Sequence, residues 1–470
     1  MLFNLRSAAT LFCAAALAAQ AEVPSLVAIR DARVVPVKGS VMEKATVVIR
    51  DGLIADVGPS ASPPAGAFVI DGTGLTIYPG LIDAYSTWGI PQATAAAPTA
   101  TGRGGGGTQA ILSALQTGQQ APRSQGPEDR PGTNTWVRAA DLVRPSDTRL
   151  EAARSSGFTT AMTFPRGGLI GGHGAAVNLA GATGGAMVVE PSIGLQMTFT
   201  PGGYSGFPNT QMGILSYFRQ LWLDAAHYAQ AKSAYAANAS GIRRPDYDRA
   251  LEHLAGYPRV LLPAPNPIQL ERVLKLAGDL KATPVFYGVQ EGYRMAPVLK
   301  QANAAVILNS RWPARERDSD PEQQDSLRTL EMRDMAPQSP KILAAAGVPF
   351  AMSSEGAGAP RDIIRALKKS IDLGLSKEDA LKSITLTPAE IFGLAAKLGS
   401  IEPGKIANLA VMDGDLFDDR TKVRMLFIDG VKYVPAPQAP QMPGGPGPGG
   451  PPGGQRPGSQ TGETDEEIIR

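Results

Sequence analysis

Cysteine is almost missing from these 470 residues: Cys13 is the only one, and histidine occurs just three times. Cys13 falls in the N-terminal leader described below, so the trimmed chain has no thiol. Disulfides, thiolate nucleophiles and cysteine metal sites are thereby excluded. Charge of one sign is lacking too. Lys and Arg number 45 against 43 Asp and Glu, a formal charge of +2, and no basic block stands out. Nucleic acid is therefore not an expected partner. Beyond the leader no apolar run is long enough to span a bilayer, so no transmembrane segment is expected after cleavage.

What is present is the composition of a globular protein, 43% hydrophobic and 19% charged, with 53 Gly and 40 Pro concentrated in a few segments. The length implies a large domain with a smaller one, or a barrel with additions. Residues 1–21 read as a signal peptide. Arg6 supplies a positive start, Ser7 to Ala18 is a short Ala-rich apolar run, and Ala19-Gln20-Ala21 gives a small-x-small site before Glu22. Thr10-Leu11-Phe12 ahead of Cys13 is a poor lipidation context. The expectation is an exported protein, periplasmic or secreted.

Short β-branched runs with Asp-Gly turns mark the beginning and end of the mature chain. Val34-Val35-Pro36-Val37 and Thr46-Val47-Val48-Ile49 precede Asp51-Gly52, and Phe68-Val69-Ile70 leads into Asp71-Gly72-Thr73-Gly74. Much later, Leu409-Ala410-Val411-Met412 and Met425-Leu426-Phe427-Ile428 repeat the pattern, the second run followed by Asp429-Gly430. These predict a small β-sandwich shared between residues 22–77 and 396–434.

Between them, strands and helices alternate. Candidate strands are Leu81 to Ala84, Phe158 to Phe164, Ala186 to Glu190, Arg259 to Leu262, Pro284 to Tyr287, Ala305 to Leu308 and Pro349 to Met352. Leu270, Val273, Leu274, Ala277 and Leu280 recur at helical spacing, as do Ile363, Leu367 and Ile371. Ser376 with Asp379, and Thr387-Pro388 with Glu390, fit capping boxes. Over residues 78–395 this alternation predicts an α/β fold, a (β/α)8 TIM barrel. Residues 91–134 read as a long low-complexity insert after the first barrel strand. Residues 435–470, Pro/Gly-rich and then acidic, read as a disordered tail.

Tyr78-Pro79-Gly80-Leu81-Ile82-Asp83-Ala84 resembles the segment that opens the barrel in amidohydrolases of the imidazolonepropionase and dihydroorotase kind. The run from Gly399 through Glu402-Pro403-Gly404-Lys405 to Met412 resembles that superfamily's return into the sandwich, with Asn408 where Asp is usual. Thr387-Pro388-Ala389-Glu390-Ile391-Phe392-Gly393-Leu394 resembles its closing helix, and Val48 to Gly58 its first sandwich hairpin. The resemblance implies a barrel with a composite sandwich, and hydrolysis of carbon-nitrogen bonds other than peptide bonds by water activated on zinc or another divalent metal.

The resemblance also says where the metal ligands should stand, and this chain departs from the pattern at nearly every one. The His-x-His positions after strand one are Tyr85 and Thr87. Pro263 stands at the strand-five histidine and Tyr287 at that of strand six. In Ser353-Ser354-Glu355-Gly356, Glu355 replaces the strand-eight Asp and is the one acidic function preserved. No Lys is evident at strand four. A phenol, a hydroxyl and a proline are poor substitutes for imidazole. Of the histidines, His227 and His253 lie in helical, polar contexts. His173 lies in the Gly-rich stretch 167–174, read as a flexible loop after strand two that can reach the barrel mouth. No metal is expected, hence no cofactor. Glu355 is the candidate catalytic residue, and Tyr85, Thr87, Pro263, Tyr287 and His173 are candidate pocket positions.

The Gly-rich stretch lacks the Lys-Ser/Thr of a phosphate loop, and Ser86 or Ser354 with His173 lacks a nucleophile-elbow signature. The expected role is a degenerate barrel that binds a small-molecule ligand or pairs with an active paralogous amidohydrolase, or with its own copies. The alternative is a hydrolase of amides, cyclic amides or dipeptides with a rebuilt site around Tyr85, His173 and Glu355. A structural envelope role has only the tail composition behind it.

Overall fold

The computed structural model describes residues 25–91, 130–199, 208–254, 259–315, 320, 322, 324–355 and 358–435. The expected signal peptide at 1–21, residues 92–129 of the expected insert and the expected tail from 436 lie outside the described residues. Along the chain, β1 (Leu26–Val34), β2 (Met42–Arg50), β3 (Leu53–Gly58), β4 (Phe68–Asp71) and β5 (Thr76–Pro79) come first. Then follow β6 (Leu81–Ser86), β7 (Phe158–Thr163), β8 (Ile170–Asn178), β9 (Val188–Met197), β10 (Arg259–Pro263), β11 (Thr283–Val289), β12 (Ala305–Asn309) and β13 (Phe350–Ser353). The last are β14 (Leu409–Met412), β15 (Val423–Ile428) and β16 (Val431–Tyr433).

Strands from the two ends of the chain share one sheet, in the order β16-β15-β14-β5-β1-β2-β3 with β4 beside β1. Ile29, Val47 and Ile77 from the first end pack with Leu409, Val411 and Phe427 from the second in one buried cluster. Neither end could bury its apolar face alone, which is why the sandwich is composite. The Asp-Gly turns are where they were expected. Asp51 and Gly52 have φ of 50° and 81°, Asp429 and Gly430 of 53° and 76°. Two successive residues at positive φ make the hairpin turn that Asp-Gly favours.

The other sheet runs β6 through β13 in sequence order, with β13 returning beside β6 to nearly close a barrel. Its wall is not wholly parallel. β8 pairs antiparallel with both β7 and β9. This third strand contains Gly171-Gly172-His173-Gly174, so the expected flexible loop is in fact a strand. The glycines are there for close approach: a Cβ on Gly174 would lie 2.1 Å from the Phe164 ring, and one on Gly171 would lie 2.3 Å from Gln196 Oε1. The fourth strand also differs, since Val188–Met197 begins and ends later than the Ala186 to Glu190 expectation, after a helical turn at Gly184–Met187. Residues 130–134 of the expected insert belong to the barrel flank, where Leu169 and Ile170 N–H donate to the Gly132 carbonyl.

Helices sheathe the barrel. In Pro267–Leu280 the buried residues are Leu270, Val273, Leu276, Ala277 and Leu280 at helical spacing, and in Arg361–Asp372 they include Ile363 and Leu367. The Ser376 capping box forms, with the Asp379 N–H donating to Ser376 Oγ at 3.0 Å. The Thr387 box does not. That helix starts at Leu386, and Pro388 sits in its first turn, where a missing N–H costs no helical bond.

Asn408 ties the two sheets together. Its Nδ2 donates to Thr160 Oγ1 at 2.9 Å and to Asn178 Oδ1 at 2.7 Å, and its Oδ1 accepts from Asp429 N–H at 2.7 Å. The amide supplies two donors that a carboxylate lacks.

Candidate functional site

In a barrel of this kind the C-terminal strand ends form the mouth where chemistry is done. Here those ends bring together Tyr85 from β6, Gln196 from β9, Tyr287 from β11 and Glu355 just past β13. The Tyr85 and Tyr287 rings stack, with centroids 4.5 Å apart and planes 18° from parallel. Tyr85 also stacks on Phe164 at 5.2 Å, and Phe164 meets Phe392 at 6.0 Å. A column of rings therefore fills the bore, with Met162, Leu261, Val285 and Ile307 around it.

Gln196 joins the two phenols. Its Nε2 donates to both hydroxyls at 3.3 Å, and the Tyr287 hydroxyl donates onward to the Met197 carbonyl at 2.8 Å. All of these side chains are buried. Burial, and then the charge of Glu355, pushes the Tyr287 phenol up to about 12. Burial, and then the charges of Tyr287 and Glu355, raises Tyr85 well above the usual tyrosine value. Both phenols are therefore neutral at pH 7.

The acids at the mouth are shifted as well. Glu355 is half-buried and its Oε2 lies over Gly288, 3.7 Å from where a Cβ would stand. Burial raises its pKa, and the exposed Arg166 guanidinium opposes that. Asp83 is fully buried at the seam between β6 and β13, accepting the N–H of Ser354 at 3.1 Å and of Tyr85 at 3.2 Å on Oδ1. Its Oδ2 meets no hydrogen-bond partner among the described residues. Burial raises its pKa to about 7 against those hydrogen bonds, with Glu355 adding to the rise. Asp83 thus braces the barrel closure.

The other expected positions do not join this group. Thr87 is held from outside: Arg149 Nη1 donates to its Oγ1 and Nη2 to its carbonyl, each at 2.8 Å, and Nη2 also reaches the Ile90 carbonyl. Pro263 lies in register with Tyr287, its ring offering no donor atom. His173 alternates with Gly174, which faces Phe164 in the bore, so the imidazole points to the outer face and meets the His253 carbonyl at 3.3 Å. Burial drops its pKa to about 4, which leaves it neutral. Gln196 is the residue the sequence reading missed. The period-two run Ile193, Leu195, Met197 was its signal, hidden by Pro191 and Gly194.

Residues 326–433 match the sequence model of the amidohydrolase family. The match covers the last barrel strand, the closing helices and the return into the sandwich, and it makes this part of the chain similar to amidohydrolases. An amidohydrolase from Thermotoga maritima MSB8, 24% identical, shares the fold with a TM-score of 0.69 over 87% of this chain and 100% of its own. A prolidase solved with N-methylphosphonate-L-proline is 17% identical, with a TM-score of 0.50 over 87% of this chain and 100% of its own. Among curated proteins none matches the sequence.

Members of the amidohydrolase family usually hold a divalent metal, and the donor set here can be tested against that. A zinc site needs several imidazoles or carboxylates converging on one point. This chain offers at the mouth two neutral phenols, an amide and the carboxyls of Glu355 and Asp83, the second already engaged by two backbone N–H groups, while Thr87 and Pro263 bring no metal donor inward. Among the described residues no three His, Cys, Asp or Glu side chains gather closely enough to share an ion. Tyr85 and Tyr287 instead stack on and hydrogen-bond to one another's neighbours. The residues do not fit the metal.

Proposed function

We propose that this is an exported amidohydrolase-superfamily protein that binds a small polar molecule at its barrel mouth without the superfamily's metal chemistry. The observation that carries the reading is the Tyr85–Tyr287 stack, with Gln196 bridging the hydroxyls. Where an active relative needs several converging imidazoles or carboxylates, the two phenols here are neutral, share the Gln196 amide as donor and are packed as core. Glu355 and Arg166 remain at the mouth to meet a ligand's polar groups. A partnership with a catalytically intact paralogue, or with copies of itself, fits the same reading. The leader at 1–21 supports export to the periplasm or beyond, and no helix among the described residues is long and apolar enough to cross a membrane.

A second reading is an active hydrolase of amides, cyclic amides or dipeptides with a rebuilt site. It rests on Glu355, a half-buried carboxyl at the mouth whose pKa burial raises, the direction that favours a general acid or base. The two readings separate in one set of measurements. Purified protein is analysed for bound metal and assayed on amides and dipeptides with added zinc or manganese. The binding reading expects neither stoichiometric metal nor turnover, and a thermal shift with a small polar ligand. Stoichiometric metal together with turnover abolished in Glu355→Ala would overturn it.

A further inference from the structure

Away from the barrel mouth, a concave cleft of about 740 Å³ opens between the helix Gln211–Ala237 and the segment 243–251. That is within the range of small-molecule sites. Its floor is set by Arg130, which pairs with Asp224 and, through Nε at 3.2 Å, with Asp248. Asp248 is further engaged by the N–H groups of Ala250 and Leu251 at 2.9 and 3.1 Å, so it caps a helical turn and is held in place. Thr135 fixes the same turn by donating to the Ala250 carbonyl at 2.7 Å. The floor is thus built and carries its own counter-charges, one aspartate in excess.

The rim is different. Arg249 lies 4.5 Å from the centre of the half-buried Trp136 ring, a preformed cation–π shelf. Arg243 reaches only Asp246, at 3.7 Å, with both side chains 88% exposed. Arg244 forms no ion pair among the described residues. Three arginines therefore face one aspartate there. Beside them the large ring of Tyr247 stands 72% exposed among the described residues, and Tyr228 also lines the cleft.

We propose that this cleft is a second ligand site, which takes a planar aromatic molecule bearing one phosphate or carboxylate. The ring would lie against Tyr247 and the Trp136–Arg249 shelf. The anion would stand at the rim, where Arg243 and Arg244 offer forked donors, because the floor's excess aspartate repels it. The residues used are all distinct from those at the mouth.

The test is calorimetric titration of the full chain with AMP and with 4-hydroxybenzoate, and with adenosine as the uncharged comparison. Saturable one-to-one binding of AMP, of 4-hydroxybenzoate or of both is expected, and which of them binds distinguishes phosphate from carboxylate. Adenosine should bind at least about ten-fold more weakly than the anion. The double variant Arg243→Ala/Arg244→Ala, in exposed positions that leave the fold intact, should weaken the anion by about ten-fold or more. Hydrogen exchange should show protection at 243–251. Neither anion saturating, adenosine binding equally well, an unchanged double variant, or protection confined to 353–355 would each overturn the proposal.

Discussion

Tyr85 and Tyr287, contributed by strands far apart in the sequence, stand 4.5 Å ring to ring, and only the second donates its hydroxyl to a backbone carbonyl. Both hydroxyls accept from Gln196, so the pair shares one partner but differs in what it supports. The pair works as core, and its chemistry can be read through stability.

Removing the Tyr287 hydroxyl should therefore cost more than removing that of Tyr85. Tyr287→Phe leaves the buried Met197 carbonyl without its donor and is expected to cost about 2 kcal/mol. Tyr85→Phe takes an acceptor from Gln196 and a donor from the Tyr287 hydroxyl, which keeps its bonds to Gln196 and Met197, and should cost about 1 kcal/mol. Urea unfolding of the two variants compares them directly. Equal losses would mean that the Met197 contact contributes nothing.

Asp83 makes stability depend on pH with a definite sign. Its carboxyl titrates near 3.8 when unfolded and near 7 when folded. Between those values the folded state holds a proton that the unfolded state has lost, so stability falls as pH rises from about 4 to about 7. The span corresponds to about 4 kcal/mol as an order of magnitude. Asp83→Asn keeps the acceptor for Ser354 and Tyr85 and removes the charge. The variant should gain on the parent protein at pH 8 and not at pH 4. A stability difference that is the same at both pH values would show that Asp83 is not the group responsible.

Asn408→Leu keeps the branched shape with bulkier methyl groups and breaks three hydrogen bonds, stranding the Asp429 N–H and leaving Thr160 and Asn178 with their mutual 3.3 Å bond. A loss of about 3 kcal/mol is expected, read as a lower urea midpoint. A loss below about 1 kcal/mol would mean that water replaces the amide.

Arg149 holds the loop after β6 through Thr87 and Ile90 while paired with Asp147 at 2.7 Å. A lysine is a single point charge and cannot make these contacts at once. Arg149→Lys should speed amide exchange over residues 87–90 by about ten-fold, with the rest of the barrel unchanged. Unchanged exchange there would remove Arg149 as the loop's anchor.

The sandwich and most of the barrel were legible because their signals are local. Asp51-Gly52 and Asp429-Gly430 specify a turn by backbone preference alone, and the helix Pro267–Leu280 shows its buried face in its spacing. The third strand was not legible. Its glycines read as flexibility, since a lone sequence does not show that Phe164 and Gln196 occupy the space a side chain would need. Gln196 was hidden for a related reason: Pro191 and Gly194 interrupt the alternation that would have extended its strand. His173 looked available for the mouth until strand alternation turned it outward.

The amino-acid sequence by itself determined that imidazole is missing where the superfamily resemblance calls for it, because residue identity at Tyr85, Thr87, Pro263 and Tyr287 needs no coordinates. Only the tertiary structure decided what replaced it. Stacking, the bridging amide of Gln196 and the burial that keeps both phenols neutral are relations between strands distant in sequence, and their distances exist only once the barrel closes.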